Sequence, residues 1–139
     1  MNPVELWLAN PIFASAGPEA CEDLVLRYPS TRHAPGDRIV TAGEPLTHLH
    51  VLLDGAVRVY HQNPDGLEVT VKLLRAPVVY GDIEIFHDLP FLECVGAVGE
   101  ALVARFPVAE YDAFLDRYPA AMWRRCSRIA EGCSSRKRS

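Results

Sequence analysis

The chain has 139 residues, 49% of them hydrophobic, with 14 Lys and Arg against 18 Asp and Glu and a formal net charge of −4 at pH 7. That length supports one domain with a sizeable core and is short for two ordinary ones. No apolar run approaches a membrane span, and the opening "MNPVELWLANPIF" holds Glu5 and no basic residue, unlike a secretory signal, so a cytoplasmic protein is expected.

Charge is unevenly spread along the chain. Residues 1–118 hold 8 basic and 17 acidic side chains, whereas residues 119–139 hold 6 basic and 1 acidic. The terminal "SSRKRS" reads as a solvated tail, with contact to nucleic acid or an acidic partner as the alternative. Cys21, Cys94, Cys126 and Cys133 are widely spaced, form no CxxC and have no His-rich companion segment. They read as buried free thiols and not as zinc or redox ligands.

In chain order, "GPEACEDLVLRYP" at 17–29 predicts a short helix with an acidic first turn. Turn signals then recur at "APGD" (34–37), "AGEP" (42–45), "DG" (54–55) and "NPDG" (63–66), followed by Pro77, Gly81 and Pro90. Such spacing predicts short strands joined by tight loops. "AVRVY" at 56–60 alternates apolar and polar residues. So does "LEVTVKL", where Leu67, Val69, Val71 and Leu73 point one way and Glu68, Thr70 and Lys72 the other. "NPDG" between the two runs predicts a hairpin.

"PVAEYDAFLDRYP" predicts a helix with Pro107 at its first position and Val108, Tyr111, Phe114 and Leu115 on one side. Pro119 opens a further segment, "PAAMWRRCSRIAEGC". The predicted fold class is mainly β with flanking helices: an antiparallel, jelly-roll-like β-roll closed by a C-terminal helix pair. One domain is expected over 1–139, with the roll at about 30–106, closing helices at about 107–133 and a basic tail at 134–139.

These pieces together resemble the cyclic-nucleotide-binding domain family, in particular the sensor domain of Crp/Fnr-type transcription regulators. The resemblance runs from about Pro11 to Ile129. "NPIFASAG" is similar to the family's opening helix, and "APGDRIVTAGEPLTHLHVLLDGAVRVY" to its run of a Gly-Asp turn, a Gly-Glu turn and a hydrophobic strand ending in Gly. "YGDIEIFHDLPF" stands where the phosphate-binding cassette belongs, and "FPVAEYDAFLDRYPAAM" is similar to the closing helix pair.

The resemblance implies a cyclic-nucleotide site in which backbone N–H groups after a glycine meet the phosphate, an acid accepts a ribose hydroxyl and an arginine pairs with the phosphate. Gly81 matches the glycine, and Asp82, followed by Ile83 and Glu84, stands at the acid. The arginine position after Pro90 is Phe91, and the usually small residues beyond it are Leu92 and Glu93. Losing a charge-assisted bond of roughly 1.5–3 kcal/mol weakens binding by about tenfold to a hundredfold or more. The expectation is a degenerate pocket that does not bind cyclic AMP or cyclic GMP in the ordinary way.

Three readings of that pocket stand. Phe91, Leu92 and Val95 plug it, leaving a docking module or constitutive dimer. Alternatively it takes an apolar or cationic ligand on the Phe91 ring and the Asp82 and Glu84 carboxylates. In the third reading Arg58, Arg105 or the partner's Arg124 substitutes for the missing arginine, and the chain is a genuine nucleotide sensor.

No catalytic residues and no resident cofactor are expected. His48 and His50, two apart on a predicted strand, face the same way and invite a metal-dependent cupin enzyme as the rival. Cupins place a gap between the acid that follows the His pair and the next Gly, whereas Asp54 and Gly55 adjoin here, so no metal site is expected. Met122, Cys126, Ile129 and Cys133 follow coiled-coil spacing, and the family resemblance makes that stripe a homodimer interface. Packing of the stripe on its own barrel is the alternative. A Crp/Fnr-type regulator would continue into a winged helix-turn-helix domain, and no recognition-helix pattern lies within these residues. The chain is therefore expected to be the sensor half of a longer regulator, or a module acting through a protein partner, without direct sequence-specific DNA binding and without membrane attachment.

Overall fold

The computed structural model describes residues 2–121. Three short helices open the chain: α1 (Pro3–Leu8), α2 (Pro11–Ala14) and α3 (Pro18–Arg27). Each begins with proline at an early position, where a missing N–H costs nothing. Asn2 and Asn10 cap the first two, accepting the N–H of Glu5 at 2.9 Å and of Ile12 at 3.0 Å. The helix predicted from 17–29 is α3, whereas α1 was not read from the sequence.

Eight strands follow: β1 (Ser30–His33), β2 (Arg38–Val40), β3 (His48–Asp54), β4 (Ala56–Gln62), β5 (Glu68–Arg75), β6 (Val78–Tyr80), β7 (Cys94–Ala97) and β8 (Ala101–Pro107). A one-turn helix, α4 (Asp82–Phe86), separates β6 from β7, and α5 (Val108–Arg117) follows β8. The strands form two four-stranded antiparallel sheets, ordered β1-β8-β3-β6 and β2-β7-β4-β5. The expected mainly β fold with flanking helices, an antiparallel roll, is the one observed, and it is made of two sheets.

Two apolar clusters hold these layers. Leu49, Val51 and Leu53 of β3 join Ala104 and Phe106 of β8 against Trp7, Phe13, Leu24, Tyr111 and Leu115 of the helices. The opposite face of the same strands contributes Leu52, Ala101 and Val103 to a second cluster with Val40, Val57, Val59 and Val95 of the other sheet. Phe106 is the aromatic hub of the first cluster, stacking on Tyr28 at 4.4 Å and meeting Tyr111 edge-on at 5.3 Å. Such pairs contribute about 0.5–1.5 kcal/mol each beyond their buried area.

The β4–β5 hairpin turns at Asn63–Gly66, as "NPDG" predicts. The simple alternation read in "LEVTVKL" does not survive, because a bulge shifts the register between Val59 and Tyr60. Val59 faces Lys72 while Tyr60 faces Thr70, so Val71 is the extra residue. Leu67, Val69, Val71 and Leu73 all remain about half exposed on this edge strand. Leu74 packs inward instead.

The glycines at the predicted turns, Gly36, Gly43, Gly55 and Gly66, all adopt positive φ. At Gly55 the constraint is also steric: a Cβ there would lie 2.2 Å from the Glu100 carbonyl oxygen, whereas at Gly43 nothing lies within 4 Å. Gly55→Ala is therefore expected to cost more than about 2 kcal/mol, and Gly43→Ala only the roughly 1 kcal/mol of left-handed backbone strain. Chemical denaturation of both variants checks the difference.

Candidate functional site

The segment from Tyr80 to Cys94 leaves β6, turns at Gly81 and returns into β7. Gly81 caps α4 with φ 97°, a conformation that favours glycine, and Ile85 N–H closes the turn onto the Gly81 carbonyl at 3.0 Å. Phe91 returns beside it. Its N–H donates to the Glu44 carbonyl at 3.1 Å and its carbonyl accepts from Gly43 N–H at 2.8 Å, so the 41–44 turn fixes it through two backbone bonds. The ring is 5% exposed, and its Cε1 lies 3.4 Å from the point where a Gly81 Cβ would stand.

The space left beside Gly81 is a cavity of about 90 Å³, bordered by Asp82, Ile83, Glu84, Phe91, Glu93 and Lys72. Small-molecule sites ordinarily occupy about 300–1,000 Å³. Of the residues read as ligand-binding, Gly81, Asp82, Ile83, Glu84 and Phe91 thus share one cavity, while Leu92 is largely exposed and does not border it. Lys72 enters the cavity because the β5 bulge puts it on the same face as Val59, a consequence not visible in the local pattern.

Burial raises the Glu84 carboxyl above its ordinary pKa; its own backbone amide opposes the shift by hydrogen bonding, and nearby Asp82 and Glu93 reinforce it. Asp82 is buried at the first position of α4. His61 Nε2 lies 3.5 Å from a Glu93 carboxylate oxygen.

Neither of the two arginines proposed from this chain as substitutes enters this cavity. Arg58 lies on the outer face of β4, with its guanidinium 4.0 Å from the Tyr60 ring centre and paired with Glu68. Arg105 lies beyond Phe91, in a separate cleft of about 380 Å³ that also holds His33, His48 and His50. The two histidines read as a pair do share that cleft. Among the described residues no group of three or more His, Cys, Asp or Glu is placed to hold a metal ion. The stripe Met122, Cys126, Ile129 and Cys133, like Arg124, lies outside the described residues.

His50 is 5% exposed, shares a 3.0 Å hydrogen bond between Nδ1 and the Tyr80 hydroxyl, and meets the Phe91 ring edge-on at 5.4 Å. Burial lowers its pKa to about 4, with Arg105, His48 and His33 adding repulsion of the charged form. Burial pushes the Tyr80 hydroxyl upward, so both partners are neutral near pH 7. Sequence reading missed this contact because Tyr80 and His50 are 30 residues apart and meet only through β3–β6 pairing.

Comparison with known proteins places this geometry. A family model, Cyclic nucleotide-binding domain, matches residues 30–118, from β1 through the residue that follows α5. The chain belongs to this family. It is similar in fold to the sensor domain of the transcriptional regulator DNR from Pseudomonas aeruginosa, at 18% identity and TM-score 0.81, covering 97% of this chain and 91% of that one. It also resembles the N-terminal domain of a transcriptional regulator from Streptomyces coelicolor, at 21% identity and TM-score 0.72, covering 95% and 94%. The catabolite activator protein of Thermus thermophilus matches at 19% identity and TM-score 0.77 over 92% of this chain and 60% of that one.

In sequence, the chain is 28% identical over 79 residues to the potassium channel GORK of Arabidopsis thaliana, spanning 57% of this chain and a tenth of the channel. The resemblance to Crp/Fnr-type sensor domains read from the motifs holds at the level of family and fold. No helix among the described residues is long and apolar enough to cross a membrane.

The His50 environment sets a pH signature. Its folded pKa, about 4, lies below the ordinary 6.5, so the unfolded chain binds more protons between those values. The stability that neutral His50 represents is present above pH 6.5 and is lost as pH falls towards 4, by up to about 3 kcal/mol. Glu84, whose folded pKa is raised, works in the opposite direction. Denaturation of wild type and His50→Gln at pH 7 and pH 4.5 is expected to show a smaller acid loss in the variant.

Proposed function

We propose that this chain is a regulatory sensor or interaction module of the Crp/Fnr type whose phosphate cassette is degenerate and does not take cyclic AMP or cyclic GMP in the family's usual way. The observation that carries the reading is the Phe91 ring, seated against Gly81 where the family places its arginine. A phosphate entering here would lose a charge-assisted partner worth roughly 1.5–3 kcal/mol. It would also meet three carboxyl groups, Asp82, Glu84 and Glu93, against the single ammonium of Lys72.

Signalling in this reading is a population shift. Occupancy of the roll, or of the surface above the cassette, moves the closing helices between two arrangements. The chain works as one domain over 1–139 in the cytoplasm, without enzymatic activity, and pairs as a homodimer through Met122, Cys126, Ile129 and Cys133. DNA recognition, where it occurs, belongs to a domain or partner outside this sequence. Sedimentation tests the interface: the chain is expected to run as a dimer, and Ile129→Asp to run as a monomer. A monomeric wild type removes that part of the proposal.

The cassette is tested by thermal-shift titration with cyclic AMP and cyclic GMP on wild type and Phe91→Arg. Wild type is expected to show no saturable shift, while the variant regains a response. Saturable stabilisation of wild type overturns the degenerate reading and points to Lys72 or the partner's Arg124 as the phosphate's cation.

A further inference from the structure

The cleft on the other side of Phe91 is wider than the cassette cavity. Its inner wall is built from alternate residues of the first sheet. Thr31 pairs with Val103, His50 pairs with Arg105 and His48 pairs with Pro107, which places Thr31, His33, His48, His50, Val103 and Arg105 on the face turned towards the second sheet. Across from them stand Ile39 of β2 and the 41–47 loop with Glu44, Pro45 and Thr47. The cleft measures about 380 Å³, four times the cassette cavity and within the range of small-molecule sites.

Its polar groups converge in one region. Arg105 makes no ion pair with any carboxylate among the described residues; its guanidinium Nη2 lies 3.5 Å from His48 Nδ1. Thr47 Oγ1 lies 2.9 Å from the same nitrogen. With Nδ1 accepting from both, the neutral His48 ring carries its proton on Nε2, a donor left for an incoming group. One guanidinium, Arg105, and one carboxylate, Glu44, line the cleft; Thr41 N–H holds one Glu44 oxygen at 3.0 Å, while Arg105 has no carboxylate partner and is the cation an incoming anion would meet. Ile39, Pro45, Phe91 and Val103 offer the rest of the wall as apolar and aromatic surface.

We propose that this cleft is a ligand site for a small organic monoanion, a carboxylate on a compact apolar or aromatic body. Arg105, aided by His48 and the Thr31 hydroxyl, holds the carboxylate, and the apolar body lies against Phe91 and Val103. Binding there reaches the cassette by contact. Phe91 borders both cavities, its backbone is bonded to the Gly43–Glu44 rim, and His50 links the cleft to Tyr80, the residue before Gly81. The site deepens the sensor reading by giving a chain with a filled cassette a different effector pocket, yet the binding claim stands independently of how the cassette behaves.

The test is an amide-resolved NMR titration of the full chain with sodium benzoate, with benzyl alcohol as the neutral counterpart and inorganic phosphate as the competing anion. Benzoate is expected to give saturable shifts at Thr31, Thr47, His48 and Arg105, with smaller ones spreading to Gly81–Glu84. Arg105→Gln is expected to weaken benzoate at least tenfold while leaving the melting temperature within a degree or two, and Arg105→Lys to recover part of the affinity. The proposal is overturned by an absence of saturable shifts at those four amides, by equal response to benzyl alcohol, by stronger response to phosphate, or by unchanged affinity in Arg105→Gln. Cyclic AMP added to the same sample separates the two readings: shifts confined to Gly81–Glu84 would reverse the view of the cassette and leave the cleft result standing.

Discussion

Strand β3 is buried along nearly its whole length, and with β8 it carries apolar side chains on both faces of the first sheet; the two clusters and the cavities between the sheets depend on that. One face of β3 and β8 packs on the N-terminal helices and α5, and the other closes the roll against the second sheet. A strand in such a layer has no solvent side, so β3 reads as a near-continuous apolar run broken by His50. Polar groups in this layer must find internal partners, and His50 finds one in Tyr80 on the neighbouring strand. Helices and roll are therefore mechanically joined: a displacement of β3 or β8 is felt in both clusters at once.

Phe91 divides the interior that this layering creates. A side chain of its size, held by two backbone bonds to the 41–44 turn, occupies the space next to Gly81 and reduces the cassette to a cavity of about 90 Å³. The same ring forms a wall of the wider cleft lined by Arg105 and the histidines. In chemical character the two compartments differ: three carboxyl groups and the Lys72 ammonium border one, and the Arg105 guanidinium, imidazoles, hydroxyls and the Glu44 carboxylate border the other.

The outer face of the second sheet has its own stabilising arrangement. The Tyr60 ring lies beside Gly96, where the missing side chain makes room, and Arg58 and Arg38 stack around it, joined through Glu68. Arg58 is thereby committed to the surface. Its alternation with the buried Val57 and Val59 turns it outward, away from the pocket for which the sequence reading offered it, and the stacking accounts for where the guanidinium goes.

The sequence by itself determined the fold class, the order of the strands with the helices before and after them, and the turn glycines, because each follows from short-range periodicity or a local turn signal. It did not reveal α1, whose six residues are too few for a helical period, nor the β5 bulge, which is a mismatch between two strands and is written in neither alone. Only the tertiary structure decided that Lys72 turns into the cassette, that His50 meets Tyr80, and that Arg105 and His48 share a cleft behind Phe91. These contacts join strands distant in the chain, and the pairing register that creates them is settled by burial across two sheets.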